Sequence, residues 1–83
     1  MGAFPRLVGV EPLPEKRLLA RFENGEKRIY DCTALVRSDP FRILANDAFF
    51  RHVRPAPGGY GVVWDDRLDL AESEIWLNGS PAP

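Results

Sequence analysis

Apolar and polar residues alternate with period two in three stretches near the N-terminus. Arg6 to Glu11 (R-L-V-G-V-E) places Val8 and Val10 on one face, as a strand does. Pro12-Leu13-Pro14 predicts the turn that follows, because neither proline can donate to a ladder. Arg17–Phe22 and Glu26–Cys32 read as two further strands, with Asn24-Gly25 between them. That dipeptide suits a two-residue type I′ turn with positive φ at both positions. The loop then pairs Phe22 with Lys27, Arg21 with Arg28 and Ala20 with Ile29. Leu18, Ala20, Phe22 and Ile29 fall on the apolar face, and Arg21, Glu23, Glu26 and Arg28 on the solvated one. Burial of the apolar face outweighs charge pairs worth below about 1 kcal/mol each. Valine at Gly25 is expected to cost about 1–2 kcal/mol through the left-handed penalty, and valine at Gly79 less.

The period then lengthens. Asp39 is placed to cap a helix and Pro40 to open it, with Phe41, Leu44 and Ala48 at near-helical spacing. Asn46-Asp47 divides this segment into two short helices, with Asp47 capping the second. Val53-Arg54 starts an extended stretch, and Pro55-Ala56-Pro57-Gly58-Gly59 is the clearest loop. Tyr60–Trp64 reads as a strand with Tyr60, Val62 and Trp64 on one face. Asp65-Asp66-Arg67 turns the chain into a short strand, Leu68–Leu70. A two-turn helix runs to Leu77, with Asp69 as cap, Glu72 completing a capping box, and Asn78-Gly79 as a left-handed C-cap. Met1 to Phe4 and Ser80 to Pro83 read as frayed or disordered ends. The sum is an α+β fold: one domain over 1–83, with a small antiparallel sheet of four to five strands and two or three short helices.

This order also resembles a known family. L-V-x-V-x-P-L-P is followed by L-L-x-x-F-x-N-G and a strand ending in Asp31. F-x-x-L, Phe49/Phe50 and Val53 come next, then G-G-x-x-V-V-W and D-L before a short acidic helix. Over about Pro5 to Gly79 the chain resembles the bacterial family catalogued as domain of unknown function 2442. The resemblance implies a small α+β domain with an antiparallel sheet, encoded beside other short proteins and sometimes discussed as part of toxin–antitoxin-like pairs. It supplies no catalytic residues. Some members carry an added helix-turn-helix, which is not expected within these 83 residues.

Composition narrows the function. The 83 residues are 45% hydrophobic and 28% charged, a globular balance. Eleven basic and 12 acidic side chains give a net charge of -1, which excludes a uniformly basic nucleic-acid binder. The lone Cys32 excludes an internal disulfide and a multi-cysteine zinc site. No apolar run reaches the roughly 18–20 residues of a bilayer span, and no signal peptide is visible, so the expectation is a cytoplasmic protein without membrane contact. A core this small competes with any enclosed substrate cavity for the same side chains.

Few residues offer chemistry. His52 has only Asp47 nearby in sequence, five positions away, a poor separation for a helical acid–base pair. Cys32 reads as a buried small hydrophobe. Asp65, Asp66 and Asp69 lack the ligand spacing of a calcium loop, and Gly58-Gly59-x-Gly61 lacks the ending of a phosphate loop. No catalytic residue, metal site or cofactor is therefore expected.

Charge is asymmetric: residues 1–54 hold ten bases and seven acids, and residues 55–83 one base and five acids. Arg37, Arg42, Arg51, His52 and Arg54 gather around the helical segment as candidate anion or nucleic-acid contacts. Ile75, Trp76 and Leu77 are too wide a run for one helix to bury, so Trp76 is the candidate partner contact. The leading expectation is a non-enzymatic protein-interaction module. It would act with a neighbouring small protein or as a homo-oligomer, through a sheet edge or the Trp76 helix. The alternative is a nucleic-acid-binding regulator or antitoxin-like component.

Overall fold

The computed structural model describes residues 4–82. The expected fraying of the first residues and of Pro83 lies outside the described residues, apart from Phe4.

The turn at Gly25 organises the first sheet. Gly25 takes φ 89°, a conformation open to glycine, and its N–H donates to the Phe22 carbonyl at 3.0 Å. The Phe22 N–H donates to the Glu26 carbonyl at 2.9 Å, so the loop holds three residues, Glu23-Asn24-Gly25, not two. A three-residue loop ending in a left-handed glycine is the other common way to join antiparallel strands. Its effect on register is large. Strand β2 (Arg17–Phe22) pairs with β3 (Lys27–Asp31) as Leu18↔Tyr30, Leu19↔Ile29 and Ala20↔Arg28, one residue away from the expected pairing. A one-residue slip turns every side chain of a strand over. Tyr30 and Cys32 therefore enter the core, and Ile29 joins Leu19 on the other face.

Strand β1 (Leu7–Leu13) runs antiparallel to β2. Its pairing slips between Leu7 and Gly9, so Leu7 is buried and Val8 is 61% exposed. Val10 and Pro12 then lie opposite Ala20 and Leu18. The bulge is why Val8 and Val10 do not share the buried face as their spacing suggested. Pro12 stays within the strand because β1 is an edge of its sheet, and the turn falls at Pro14–Lys16, with positive φ at Glu15 and Lys16.

The middle segment is helical but tight. A 3₁₀ turn spans Leu35–Arg37, and a second spans Phe41–Ala45. Asp39 does not cap the second turn; the Phe41 N–H donates to the Ser38 carbonyl instead, and Pro40 sits outside as N-cap. Helix α1 (Asp47–Phe50) is capped by Asn46, whose Oδ1 accepts from the Phe49 N–H at 3.0 Å. Asp47 is freed to pair with Lys16 Nζ at 3.1 Å.

Strand β4 (Arg54–Pro55) leads through a 3₁₀ turn at Pro57–Gly59 into β5 (Gly61–Asp65) and β6 (Leu68–Ala71), forming a second antiparallel sheet in the order β4-β5-β6. Val62 and Trp64 face the core, and Tyr60, just before the strand, is 57% exposed. Helix α2 (Glu72–Asn78) is entered directly from β6. Asp69 is a strand residue paired with Val63 and caps nothing. Gly79 is extended (φ -79°), so the left-handed C-cap is absent. The chain stays ordered through β7 (Ser80–Pro81), which pairs with β3 and completes the first sheet, β1-β2-β3-β7.

The result is α+β, with sheets of four and three strands. β4 falls in the extended stretch expected from Val53-Arg54, whereas β7 was not visible as a pattern, because two residues show no alternation. β4 packs beside β1, and α2 packs against β3, β5 and β6, so the helix bridges the two sheets. One cluster of buried side chains fills the space between, including Leu18, Phe22, Leu44, Phe50, Trp64 and Ile75. No described helix is long and apolar enough to cross a membrane.

Candidate functional site

Helix α2 begins where β6 ends, the Glu72 N–H donating to the Tyr60 carbonyl at 3.2 Å. Glu72 and Glu74 in its first turn suit the positive end of the helix dipole. Three consecutive apolar residues sweep about 200° of a helix, too much to bury. Ile75 takes the core, Trp76 is half-buried, and Leu77 points outward with 65% exposure.

Trp76 is held from two sides. Its ring meets Phe22 edge-on, with centroids 5.1 Å apart, and the Arg28 guanidinium covers it at 3.9 Å. Arg28 is positioned in turn by Glu26, whose Oε1 accepts from Nη1 at 2.9 Å. The register shift creates this arrangement by turning Arg28 toward α2, where the expected pairing left it on the solvated face. Gly79 closes the end of the helix: a Cβ there would lie 2.5 Å from the Ile75 carbonyl oxygen and 3.1 Å from Arg28 Cβ.

Beside this stack an open cleft of about 410 Å³ is lined by Gly25, Glu26, Lys27, Arg28, Pro81 and Ala82. Its outer wall is the edge strand β7. The Ala82 N–H donates inward to the Lys27 carbonyl at 3.1 Å. Alternation then turns the backbone of Pro81 outward, and proline has no N–H to offer there. This sheet edge is blunted.

The basic candidates lie elsewhere. Arg37 ends the first 3₁₀ turn, Arg42 lies in the second, Arg51 caps α1, His52 follows it, and Arg54 opens β4. All five are exposed. Trp64 gathers part of the group: Phe41 and Phe50 flank its ring at 6.5 and 6.4 Å, and Arg54 Nη1 donates to its carbonyl at 3.3 Å. Arg42 Nη2 reaches the Arg37 carbonyl at 3.5 Å, and Arg42 Nε lies 3.8 Å from Asp39. Asp65 and Asp66, both exposed, follow Trp64 directly in the chain.

Cys32, Asp65 and Tyr30 are held in structural contacts. Cys32 is fully buried, and its thiol is pushed up to about 12 by burial and by Asp31 next to it. Asp65 Oδ1 accepts the Arg67 N–H at 2.9 Å, a turn contact. Among the described residues no group of three or more His, Cys, Asp or Glu side chains could hold a metal ion. Tyr30 is the residue that pattern reading missed. Its hydroxyl donates to Glu74 Oε2 at 2.9 Å, and burial with that carboxylate raises it above the ordinary tyrosine value. The alternation Tyr30-x-Cys32 was the available signal, equal in strength to the one through Ile29.

No curated protein and no solved structure matches the chain. Residues 7–80 match the family described as "Protein of unknown function (DUF2442)". That span runs from the first residue of β1 to the first of β7 and takes in both sheets and the Trp76–Arg28 stack, so the chain belongs to this family.

Proposed function

We propose that this chain is a non-enzymatic protein-interaction module of the bacterial cytoplasm, acting with a small protein encoded nearby or as a homo-oligomer, with α2 as its contact surface. The observation that carries the reading is the pair at the end of that helix. Leu77 stands 65% exposed beside a Trp76 already immobilised by Phe22 and Arg28. An aromatic anchor with little rotamer freedom left to lose is the kind of group that concentrates binding energy.

Light scattering after size exclusion tests this, on the chain alone and mixed with the product of the adjacent gene. A complex in either sample, lost in Leu77→Lys, supports the reading. A monomer at every concentration that forms no complex with the neighbour contradicts it.

The nucleic-acid or antitoxin-like reading is favoured by the exposure of Arg37, Arg51 and His52, none of which has a side-chain partner among the described residues. Operator binding that weakens steeply with salt and disappears in Arg51→Glu would support it over the first reading.

A further inference from the structure

Three of the four sheet edges are protected. β1 carries a bulge and Pro12 and has β4 beside it; β4 is two residues long and contains Pro55; β7 turns Pro81 outward. These are the usual defences of an edge strand. β6 carries charge, and its ladder with β5 slips between Val63 and Asp65, but it has neither a proline nor an outer strand beside it. No proline occurs between Pro57 and Pro81, and among the described residues no strand pairs with β6 on the side away from β5.

The hydrogen bonds show which groups are unpaired. The Glu72 N–H donates to the Tyr60 carbonyl, and Val62 pairs with Leu70 in the same register. Antiparallel alternation therefore turns Leu70 toward β5 and turns outward the N–H and C=O of Asp69 and the N–H of Ala71, whose carbonyl serves α2 as its N-cap. Neither N–H donates in a turn, loop or side-chain bond among the described residues, and both residues are exposed while Leu68 and Leu70 are buried. The edge is also acidic: Asp65, Asp66, Asp69 and Glu72 lie along or beside it against the single base Arg67, while Glu74 is turned to the Tyr30 hydroxyl.

We propose that the open edge of β6 accepts an extended, lysine- or arginine-rich segment of another protein as an additional strand, through the N–H and C=O of Asp69 and the N–H of Ala71. Main-chain bonds supply the affinity, and the carboxylates select the charge of the segment. A second copy of this chain is a poor occupant, because two-fold pairing of β6 strands would bring Asp69 and its neighbours against their own kind. The site is separate from the α2 contact proposed above and stands or falls without it.

The test uses the full chain and a capped peptide of alternating valine and lysine. Amide hydrogen exchange at Asp69 and Ala71 should slow by about tenfold or more at saturating peptide, and binding should weaken with salt. Ala71→Pro should reduce binding by about tenfold, because the outward N–H is removed. Ala71 already has φ -69°, so proline fits the backbone there. Asp69→Lys should have a similar effect and keeps the test decisive if the proline variant fails to fold. Leu77→Lys should leave peptide binding unchanged. Unchanged exchange at Asp69 and Ala71 would overturn the proposal. So would full binding by Asp69→Lys or by a folded Ala71→Pro. Equal binding of a valine–glutamate peptide would also overturn it. Protection that grows with chain concentration in the absence of peptide would assign the edge to a second copy instead.

Discussion

The Arg28 guanidinium lies 3.9 Å from the centre of the Trp76 ring, and this contact fastens the last helix to the first sheet. Arg28 exposes only 13% of its side chain while Glu26, its carboxylate partner, exposes 54%. The arginine is thus a structural pin with one charged end reaching solvent.

Removal of either side of the stack should loosen α2. Trp76→Ala is expected to lower stability by about 2–3 kcal/mol, below the range for a fully buried tryptophan because the ring is half-exposed. Arg28→Ala should cost about 1–2 kcal/mol. The double variant should cost less than the sum, since the two residues touch. Urea denaturation of the four proteins measures the difference.

Two glycines should respond in the reverse of the order that the sequence suggests. Gly25 has positive φ but no atom of the described residues within 4 Å of an added Cβ, so Gly25→Ala should cost only about 1 kcal/mol. Gly79→Ala must push against the Ile75 carbonyl oxygen, and its cost should approach about 3 kcal/mol. Matching urea midpoints for the two variants would contradict this account of the α2 end.

Alkaline pH should unfold the chain through two buried acids. The Cys32 thiol moves from 9.0 to about 12, and Tyr30 is raised above its ordinary 10.0 by burial and by its bond to Glu74. Each holds its proton more tightly when folded. Their stabilisation is therefore complete below the unfolded thiol value and is lost as pH climbs from about 9 toward 12. The double variant Cys32→Ala/Tyr30→Phe should flatten a plot of denaturation midpoint against pH over that range. At pH 8 alkylation of Cys32 should proceed only as fast as the chain unfolds, since the side chain is fully buried.

Asn46 and its neighbour Asp47 separate a cap from a surface ion pair. Asn46→Ala should cost about 1 kcal/mol, because the Phe49 N–H loses its acceptor. Asp47→Asn should cost well under about 1 kcal/mol, because the Lys16–Asp47 pair leaves the aspartate 73% exposed. Thermal melts of the two variants give the comparison.

Much of this fold is legible in the chain. The three N-terminal strands, the Gly25 turn, β5, β6 and the last helix all follow from alternation and turn residues. What resisted was register. Asn-Gly fits a two-residue loop or the end of a three-residue loop equally well, and the choice decides whether Ile29 or Tyr30 is buried. The tertiary bonds of Tyr30 to Glu74 and of Arg28 to Trp76 settle it, and both partners lie more than forty positions away. The caps failed for a related reason: Asp39 and Asp69 have the right chemistry, but strand pairing and backbone bonds place the helix starts elsewhere. At the candidate site the excess of apolar surface at 75–77 was visible. Which residue faces outward was not, because Trp76 finds Phe22 and Arg28 only once β3 is in register.

The claim that α2 is the contact surface is tested most directly by amide chemical-shift mapping. The labelled chain is titrated with the adjacent gene product, or diluted if it self-associates. The account predicts shifts concentrated at residues 73–78, with Leu77 the most perturbed, and their loss in Leu77→Lys. Shifts centred on Arg37, Arg42, Arg51, His52 and Arg54, with α2 silent, would contradict it.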